Sequence, residues 1–108
     1  MTDASLDQAL RALADGNRRT ILGVIRQAPR TVGALAEDVG LSQQATSHHL
    51  RVLRTAGLVR ETRIGARHLF AVEADGFSAV RAYLDDFWPT TLAALRDAVE
   101  AGRSGGDA

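Results

Sequence analysis

The stretch LSQQATSHHLRVLRTAG, residues 41–57, and the stretch LVRETRIGARHLFAVE, residues 58–73, decide the fold. In the first, Ser42 is a preferred N-cap residue, apolar residues recur at helical spacing, and Gly57 is a preferred terminator. It therefore predicts a helix that Ser42 opens and Gly57 closes. The second contains β-branched and aromatic runs on both sides of Gly65, which predicts a β-hairpin with glycine at its tip.

A shorter helix is predicted directly ahead of this stretch. Thr31 is a typical N-cap residue, Gly40 is a typical terminator, and Leu41 fills the tight turn that follows. A short helix, a turn containing glycine and a second helix form the helix-turn-helix signature. The hairpin that comes next would be its wing, so the pattern predicts a winged helix-turn-helix.

Two further helices are predicted at the start of the chain. Ser5 and Gln8 have the spacing of a capping box in the first helix, which Gly16 ends. Asn17 is the predicted cap of the second helix, which stops before Pro29 because proline disfavours helix for the residue preceding it.

Apolar residues from Phe77 onward resume helical spacing on both sides of Pro89, which predicts a long last helix with a kink or a restart at the proline. The predicted fold is mainly α with a small β-hairpin (α+β), in the order α-α-α-α-β-β-α. Residues 1–101 form one domain, as the length of 108 residues indicates, and the Gly- and Ser-rich residues 102–108 form a disordered tail.

Composition excludes several classes of protein. The chain has no cysteine, which excludes disulfides, thiolate metal sites and thiol redox sensing. It has no apolar run of the roughly 20 residues that a membrane span needs, and its first residues do not resemble a signal peptide. We therefore expect a cytoplasmic protein with no membrane partner.

The net charge is zero, but the charges are distributed unevenly. Residues 41–70 contain five arginines and one acidic residue, Glu61. In residues 71–108, most of the charged residues are acidic. The basic third coincides with the predicted helix and wing. This coincidence favours double-stranded DNA as a partner, because phosphate contacts dominate the affinity for nucleic acid.

The helix after Ser42 has one polar face. At 100° per residue, Leu50 and Leu53 share an inward sector with Thr46, while polar side chains project from the opposite side. Glutamine can pair with adenine, arginine with guanine, and serine or histidine with a phosphate or a base edge, so this face suits the major groove. The alternative is an ordinary solvated helix surface.

The predicted wing carries four cationic or titratable side chains: Arg60, Arg63, Arg67 and His68. They could contact phosphates, or an arginine could enter the minor groove. The alternative is that they protect the edge strands from aggregation.

These motifs resemble the ArsR/SmtB family of winged-helix regulators. The resemblance rests on LADGNRRTIL at residues 13–22, LSQQATSHHLRVL at residues 41–53 and AGLVR at residues 56–60. It implies a sequence-specific, DNA-binding transcriptional regulator that binds an inverted-repeat operator as a homodimer. The DNA-facing residues that it implies on the helix are Gln43, Gln44, Ser47, His48 and Arg51, and it places Gly65 and Arg67 at the wing. Thr46 departs from the valine usual there, and Pro89 interrupts the last helix.

The same resemblance implies that the first and last helices form the dimer. The apolar residues available for this contact are Leu6, Leu10, Leu84, Phe87, Trp88, Leu92, Leu95 and Val99. An alternative interpretation is a protein-interaction module, in which the apolar last helix binds a helix of an accessory protein.

The signal that such a regulator would sense is not evident from the residues. The resemblance implies metal sites built from cysteines on the third helix or histidines on the last, and both sets are missing here. No cofactor is required, but nickel or zinc could bind a non-standard site of histidines and carboxylates. His48 and His49 point about 100° apart and cannot readily share an ion; we expect His49 to be packed and hydrogen-bonded.

We predict that the chain is not an enzyme. It has neither a glycine-rich phosphate loop nor a cysteine nucleophile, and Asp85 and Asp86 are neighbours on different faces of a helix.

Overall fold

The computed structural model describes residues 3–88 and 92–106. Four helices fill the first half, and a two-stranded hairpin, a short 3-10 helix and two further helices follow. The helices are α1 (Ala4–Leu13), α2 (Gly16–Ile25), α3 (Val32–Val39), α4 (Gln43–Thr55), α5 (Ser78–Asp85) and α6 (Leu92–Gly106); the strands are β1 (Val59–Ile64) and β2 (Arg67–Val72), and the 3-10 helix is Ala74–Phe77. The predicted winged helix-turn-helix fold, mainly helical with one hairpin, is confirmed.

The helix-turn-helix has the predicted ends. Thr31 accepts a hydrogen bond from a backbone N–H in the first turn of α3 at 3.2 Å, and Ser42 does the same for α4 at 3.0 Å. Gly40 and Gly57 follow these helices with φ of +71° and +79°, a conformation that glycine adopts without a steric penalty. Local capping chemistry therefore sets both boundaries of α3 and α4.

The caps of the first two helices differ from the prediction. Asp3, and not Ser5, caps α1, and Asp15, and not Asn17, caps α2, which therefore begins at Gly16. A carboxylate accepts the free N–H groups of a first turn and also carries the charge that the positive helix end favours. The hydrogen bond from the backbone N–H of Arg18 lowers the pKa of Asp15.

The wing, β1 and β2 with their turn, is a regular antiparallel hairpin. Its register runs from Val59 opposite Val72 to Ile64 opposite Arg67. Gly65 lies in the two-residue turn with φ of +62°, as the glycine at the tip predicted.

A short bridge anchors the base of the wing. The backbone N–H of Arg30 donates to the carbonyl of Phe70 at 3.1 Å, and the N–H of Phe70 donates to the carbonyl of Arg30 at 2.8 Å. These two hydrogen bonds join the wing to the connection between α2 and α3. This contact was not predicted from the sequence.

The segment after the wing packs closely on the end of α4. The backbone N–H of Glu73 donates to the carbonyl of Leu58 at 2.9 Å, and Gly76 lies against the backbone of Gly57. A Cβ atom at residue 76 would stand 1.7 Å from the carbonyl oxygen of Gly57, so only glycine fits there.

The core lies between α1, α2, α3, α4, α5 and the wing base. Its buried apolar members are Ala9, Ala12, Ile21, Leu22, Ile25, Leu35, Leu50, Leu53, Leu58, Val59 and Val80. Thr46 is also fully buried, and its hydroxyl donates to the carbonyl of Ser42 at 2.8 Å. This hydrogen bond satisfies the polar atom that replaces the apolar side chain expected at residue 46.

The predicted long last helix is two helices. α5 ends at Asp85 and α6 begins at Leu92, while Pro89 lies outside the described residues. A proline lacks the N–H of a helix interior and clashes with the preceding turn, so a break is the expected result. α6 continues to Gly106, whereas the sequence predicts a disordered tail for residues 102–108. No helix among residues 3–88 and 92–106 is long and apolar enough to cross a membrane.

Candidate nucleic-acid interface

α4 presents one exposed polar face. The side chains of all five residues predicted to face DNA are exposed on it: Gln43, Gln44, Ser47, His48 and Arg51. Thr46, Leu50 and Leu53 are buried on the other side. Because the buried side is anchored in the core, the polar side is held as a rigid surface whose amide and guanidinium groups can pair with base edges.

This exposed face, called the ridge below, lies between two grooves. A further depression of about 680 Å³ lies on the face itself and is lined by Ser42, Gln44, Ala45, Ser47, His48 and Arg51. The wing groove, about 810 Å³, separates α4 from the wing and includes Ser47, Arg54 and Arg67. The α1 groove, about 400 Å³, separates α4 from α1 and includes Arg11 and Arg18. Arg51 and Thr55 line both.

A hydrogen-bond network joins α4 to the wing. Nη1 of Arg54 donates to one carboxylate oxygen of Glu61 at 2.6 Å, and Nδ1 of His68 contacts the other. Nη2 of Arg63 lies 3.2 Å from Nε2 of His68. The arrangement fits a neutral imidazole that donates from Nδ1 to Glu61 and accepts at Nε2 from Arg63.

Glu61 is the centre of this network. The hydrogen bond from His68 is the largest cause that lowers the pKa of Glu61, and the charge of Arg54 lowers it further. In the sequence, Glu61 stands out only as the single acid of a basic segment. Its role depends on the strand register, which places Glu61 and His68 on the same face of the hairpin as Arg63.

The four predicted wing residues therefore have different surroundings. Arg63 and His68 belong to the Glu61 network. Arg60 lies 3.6 Å from the carboxylate of Glu73. Arg67 is exposed and has no ion pair within the described part of the chain, so it is the wing cation that can contact a ligand without giving up an internal partner.

Arg18, on α2, contacts both α1 and α4 through its side chain. This role was not predicted from the sequence. The guanidinium of Arg18 donates to the carbonyl oxygens of Ala12 at 2.7 Å and Arg11 at 3.2 Å, at the end of α1. It also lies 3.4 Å from Nδ1 of His49 on α4. His49 is half-buried and hydrogen-bonded, as predicted.

No three His, Asp or Glu side chains among residues 3–88 and 92–106 come together in a way that could hold a metal ion. The rings of His48 and His49 are 5.7 Å apart between centroids and tilted by 56°.

A second exposed surface is apolar and lies on α1 and α5. Its members are Leu10, Tyr83, Leu84, Phe87 and Trp88, and on α6 Leu95 and Val99 are also exposed. Phe87 and Trp88 have the largest exposed fractions of these, 65% and 61%. Of the other residues predicted for dimerisation, Leu6 packs partly against the core, and the side chain of Leu92 lies outside the described residues.

Comparison with known proteins identifies relatives over most of the chain. The family model for bacterial regulatory proteins of the arsR family matches residues 8–61. The HTH-type transcriptional regulator Rv2034 of Mycobacterium tuberculosis is 39% identical over 100 residues, which are 93% of this chain and 94% of the relative.

Two solved structures share the fold. One is the homodimeric winged helix-turn-helix DNA-binding domain Mb0332 of Mycobacterium bovis, 27% identical, with a TM-score of 0.63 over 84% of this chain and 94% of the other. The second is NolR from Sinorhizobium fredii, 32% identical, with a TM-score of 0.64 over 78% of this chain and 84% of the other. The chain is therefore a transcriptional regulator with a winged helix-turn-helix DNA-binding fold, not an enzyme, and it belongs to the ArsR family of bacterial regulatory proteins.

Proposed function

We propose that the protein binds an inverted-repeat operator in double-stranded DNA as a homodimer, with α4 of each protomer in the major groove. The observation that carries this proposal is the exposed polar face of α4 opposite a fully buried apolar side. A twofold dimer presents two such helices, which suits half-sites about one helical turn, ~34 Å, apart.

Within each half-site, Gln43 and Gln44 are suited to adenine, and Arg51 to guanine. Arg51 is exposed at the crest of the ridge and has no ion pair in the described residues, so it can enter the groove without breaking an internal contact. Arg67, also without an internal ionic partner there, is suited to a phosphate beside the groove.

The apolar surface on α1 and α5 supports the homodimer. Large aromatic side chains that are mostly exposed in one chain are typical of an interface that a partner covers. Leu10 on α1 and Phe87 and Trp88 just beyond α5 are exposed, and α1 packs against α5, which favours a contact built from both helices. The homodimeric state of the Mb0332 domain supports the same assembly.

The test is a titration of labelled duplexes monitored by fluorescence anisotropy, after selection of the operator from genomic DNA with purified protein. Arg51→Ala should weaken binding by about 1–3 kcal/mol for each half-site, roughly 5- to 150-fold per half-site. If Arg51 reads a base, specificity relaxes at one position; if it contacts phosphate, all sequences lose affinity equally. The matched control is Arg26→Ala, since Arg26 is an exposed arginine just after α2 that lines neither groove and is not part of the apolar surface.

Two results would count against the proposal: no preference of the wild-type protein for an inverted repeat over random duplex, or unchanged affinity in Arg51→Ala. Repeating the titration with nickel or zinc tests the metal-responsive alternative, which would be supported by a metal-dependent change in operator affinity.

A further inference from the structure

We infer that the α1 groove is a second binding track for the DNA backbone, in which Arg11 contacts a phosphate. This inference rests on the proposed insertion of α4 into the major groove. It adds a contact residue outside both the helix-turn-helix and the wing.

The first support is the position of the groove on α4. At 100° per residue, Ser47 and Arg54 lie roughly 40–60° to one side of Arg51, toward the wing, and His48 and Thr55 lie as far to the other side. The structure agrees for three of the four: Ser47 and Arg54 line the wing groove and His48 lines the α1 groove, whereas Thr55 lines both. The two grooves therefore flank the ridge.

The second support is the shape of DNA. The major groove is about 12 Å wide, and a helix with its side chains is about 10–12 Å across, so an inserted helix has one phosphate backbone on each side. The wing groove suits one backbone. The α1 groove occupies the position of the other.

The third support is charge. Three arginines line the α1 groove, namely Arg11, Arg18 and Arg51, and none of the described residues lining it is acidic. Arg18 is occupied by the carbonyl oxygens at the end of α1 and by His49, so it holds the wall of the groove in place. Asp15, its acidic neighbour at 3.9 Å, does not line the groove.

Arg11 is the cation of this groove that remains for a ligand. Its side chain is exposed in the last turn of α1, and it makes no ion pair or side-chain hydrogen bond within residues 3–88 and 92–106. A guanidinium in this position can bind a phosphate through two N–H groups. Because phosphates carry no sequence information, the contact should strengthen binding to every duplex alike.

The experiment measures the salt dependence of binding for Arg11→Ala, with the selected operator and with a random duplex. Each lost phosphate contact lowers the slope of log K against log salt by about 0.9, so the dimer should lose about 1.8. At 0.1 M salt we expect a roughly 10- to 100-fold loss of affinity that is equal for both duplexes. Arg11→Lys should restore most of the slope, and Arg26→Ala, at an exposed arginine that lines neither groove, should leave it unchanged.

Arg11→Ala is expected to fold, because the side chain is exposed and alanine is a strong helix former. Circular dichroism and sedimentation of the same samples verify the fold and the dimer. An unchanged slope in a folded dimer overturns the inference. It is also overturned if the variant dissociates more readily while the slope of the remaining dimer is unchanged, since Arg11 would then contact the partner subunit. Both results differ from failure of the proposed function. In that case the wild type would show no preference for an inverted repeat, or Arg51→Ala would bind with unchanged affinity.

Discussion

Gly76 offers a sharp test of the described packing between the end of α4 and the segment after the wing. In Gly76→Ala, the new Cβ atom would lie 1.7 Å from the carbonyl oxygen and 2.6 Å from the carbonyl carbon of Gly57. Both are backbone atoms and cannot rotate away. One of the two segments must therefore move.

The movement affects buried residues. Leu58, the residue after Gly57, is fully buried, and its carbonyl accepts the hydrogen bond from Glu73. An added methyl group in a packed site typically costs about 1–3 kcal/mol, and a clash between two backbone segments belongs at or above the upper end. We expect Gly76→Ala to lower the free energy of unfolding by about 3 kcal/mol, which for a domain of this size lowers Tm by about 12 °C.

The assay is thermal and urea unfolding followed by circular dichroism at one fixed protein concentration, because self-association raises apparent stability. Gly23→Ala is the matched control: nothing lies within 4 Å of its added Cβ, and Gly23 is inside α2. Alanine is favoured over glycine in a helix by about 0.8–1 kcal/mol, so the control should be slightly more stable. A Tm for Gly76→Ala within about 2 °C of the wild type would refute the described contact.

Two further predictions concern the wing network and the apolar surface. Glu61→Gln should make the free energy of unfolding fall less steeply as the pH is lowered. His68 and Arg54 lower the pKa of Glu61 in the folded state, so the ionised carboxylate stabilises the fold above the ordinary pKa of 4.5. This stabilisation is lost as the pH falls through the lowered pKa. Urea unfolding between neutral and acidic pH measures this effect. Trp88→Ala should weaken self-association by about 3 kcal/mol per dimer, roughly a hundredfold, because burying such a side chain contributes at least about 1.5 kcal/mol and twofold symmetry counts it twice. Sedimentation velocity over a range of concentrations measures it, with Ile64→Ala at the wing tip as the control.

If the free energy of unfolding of Glu61→Gln falls with acid as steeply as that of the wild type, the partners of Glu61 do not stabilise its carboxylate in the folded state. Equal dimer dissociation for Trp88→Ala and the wild type would place the homodimer contact elsewhere.

The helix-turn-helix could be predicted from sequence because its boundaries depend on local chemistry. Thr31 and Ser42 cap helices through bonds to residues three positions later, and Gly40 and Gly57 terminate them by their own backbone conformation. None of these interactions needs a distant partner. The exposed face of α4 also follows from periodicity alone.

The first two caps show the limit of local reasoning. Asp3 and Ser5, and likewise Asp15 and Asn17, are all good capping residues within two positions of one another. Tertiary contacts of the helix decide between such neighbours, and a single sequence does not display them.

The arrangement of the wing could not be predicted because it depends on contacts between residues far apart in the chain. Arg30 and Phe70 pair in the fold although the whole helix-turn-helix lies between them in the chain. The strand register brings His68 to Glu61, which removes His68 and Arg63 from the set of unpaired wing cations. Sequence reasoning found the basic segment but could not tell the internally paired arginines from Arg67.

The bridge between Arg30 and Phe70 clamps the wing at its base, and the tip of the hairpin projects beyond this clamp. Beyond Phe70 the hairpin extends three residues to Arg67, about 10 Å at the usual rise of a strand, and the residues from Thr62 to His68 are exposed. A tilt of about 10° at the clamp would displace Arg67 by roughly 2 Å, more than the tolerance of a hydrogen bond. The position of this arginine therefore depends on contacts below the wing tip: the two backbone hydrogen bonds at Phe70 and the hydrogen bond from Arg54 to Glu61, the strand partner of Phe70.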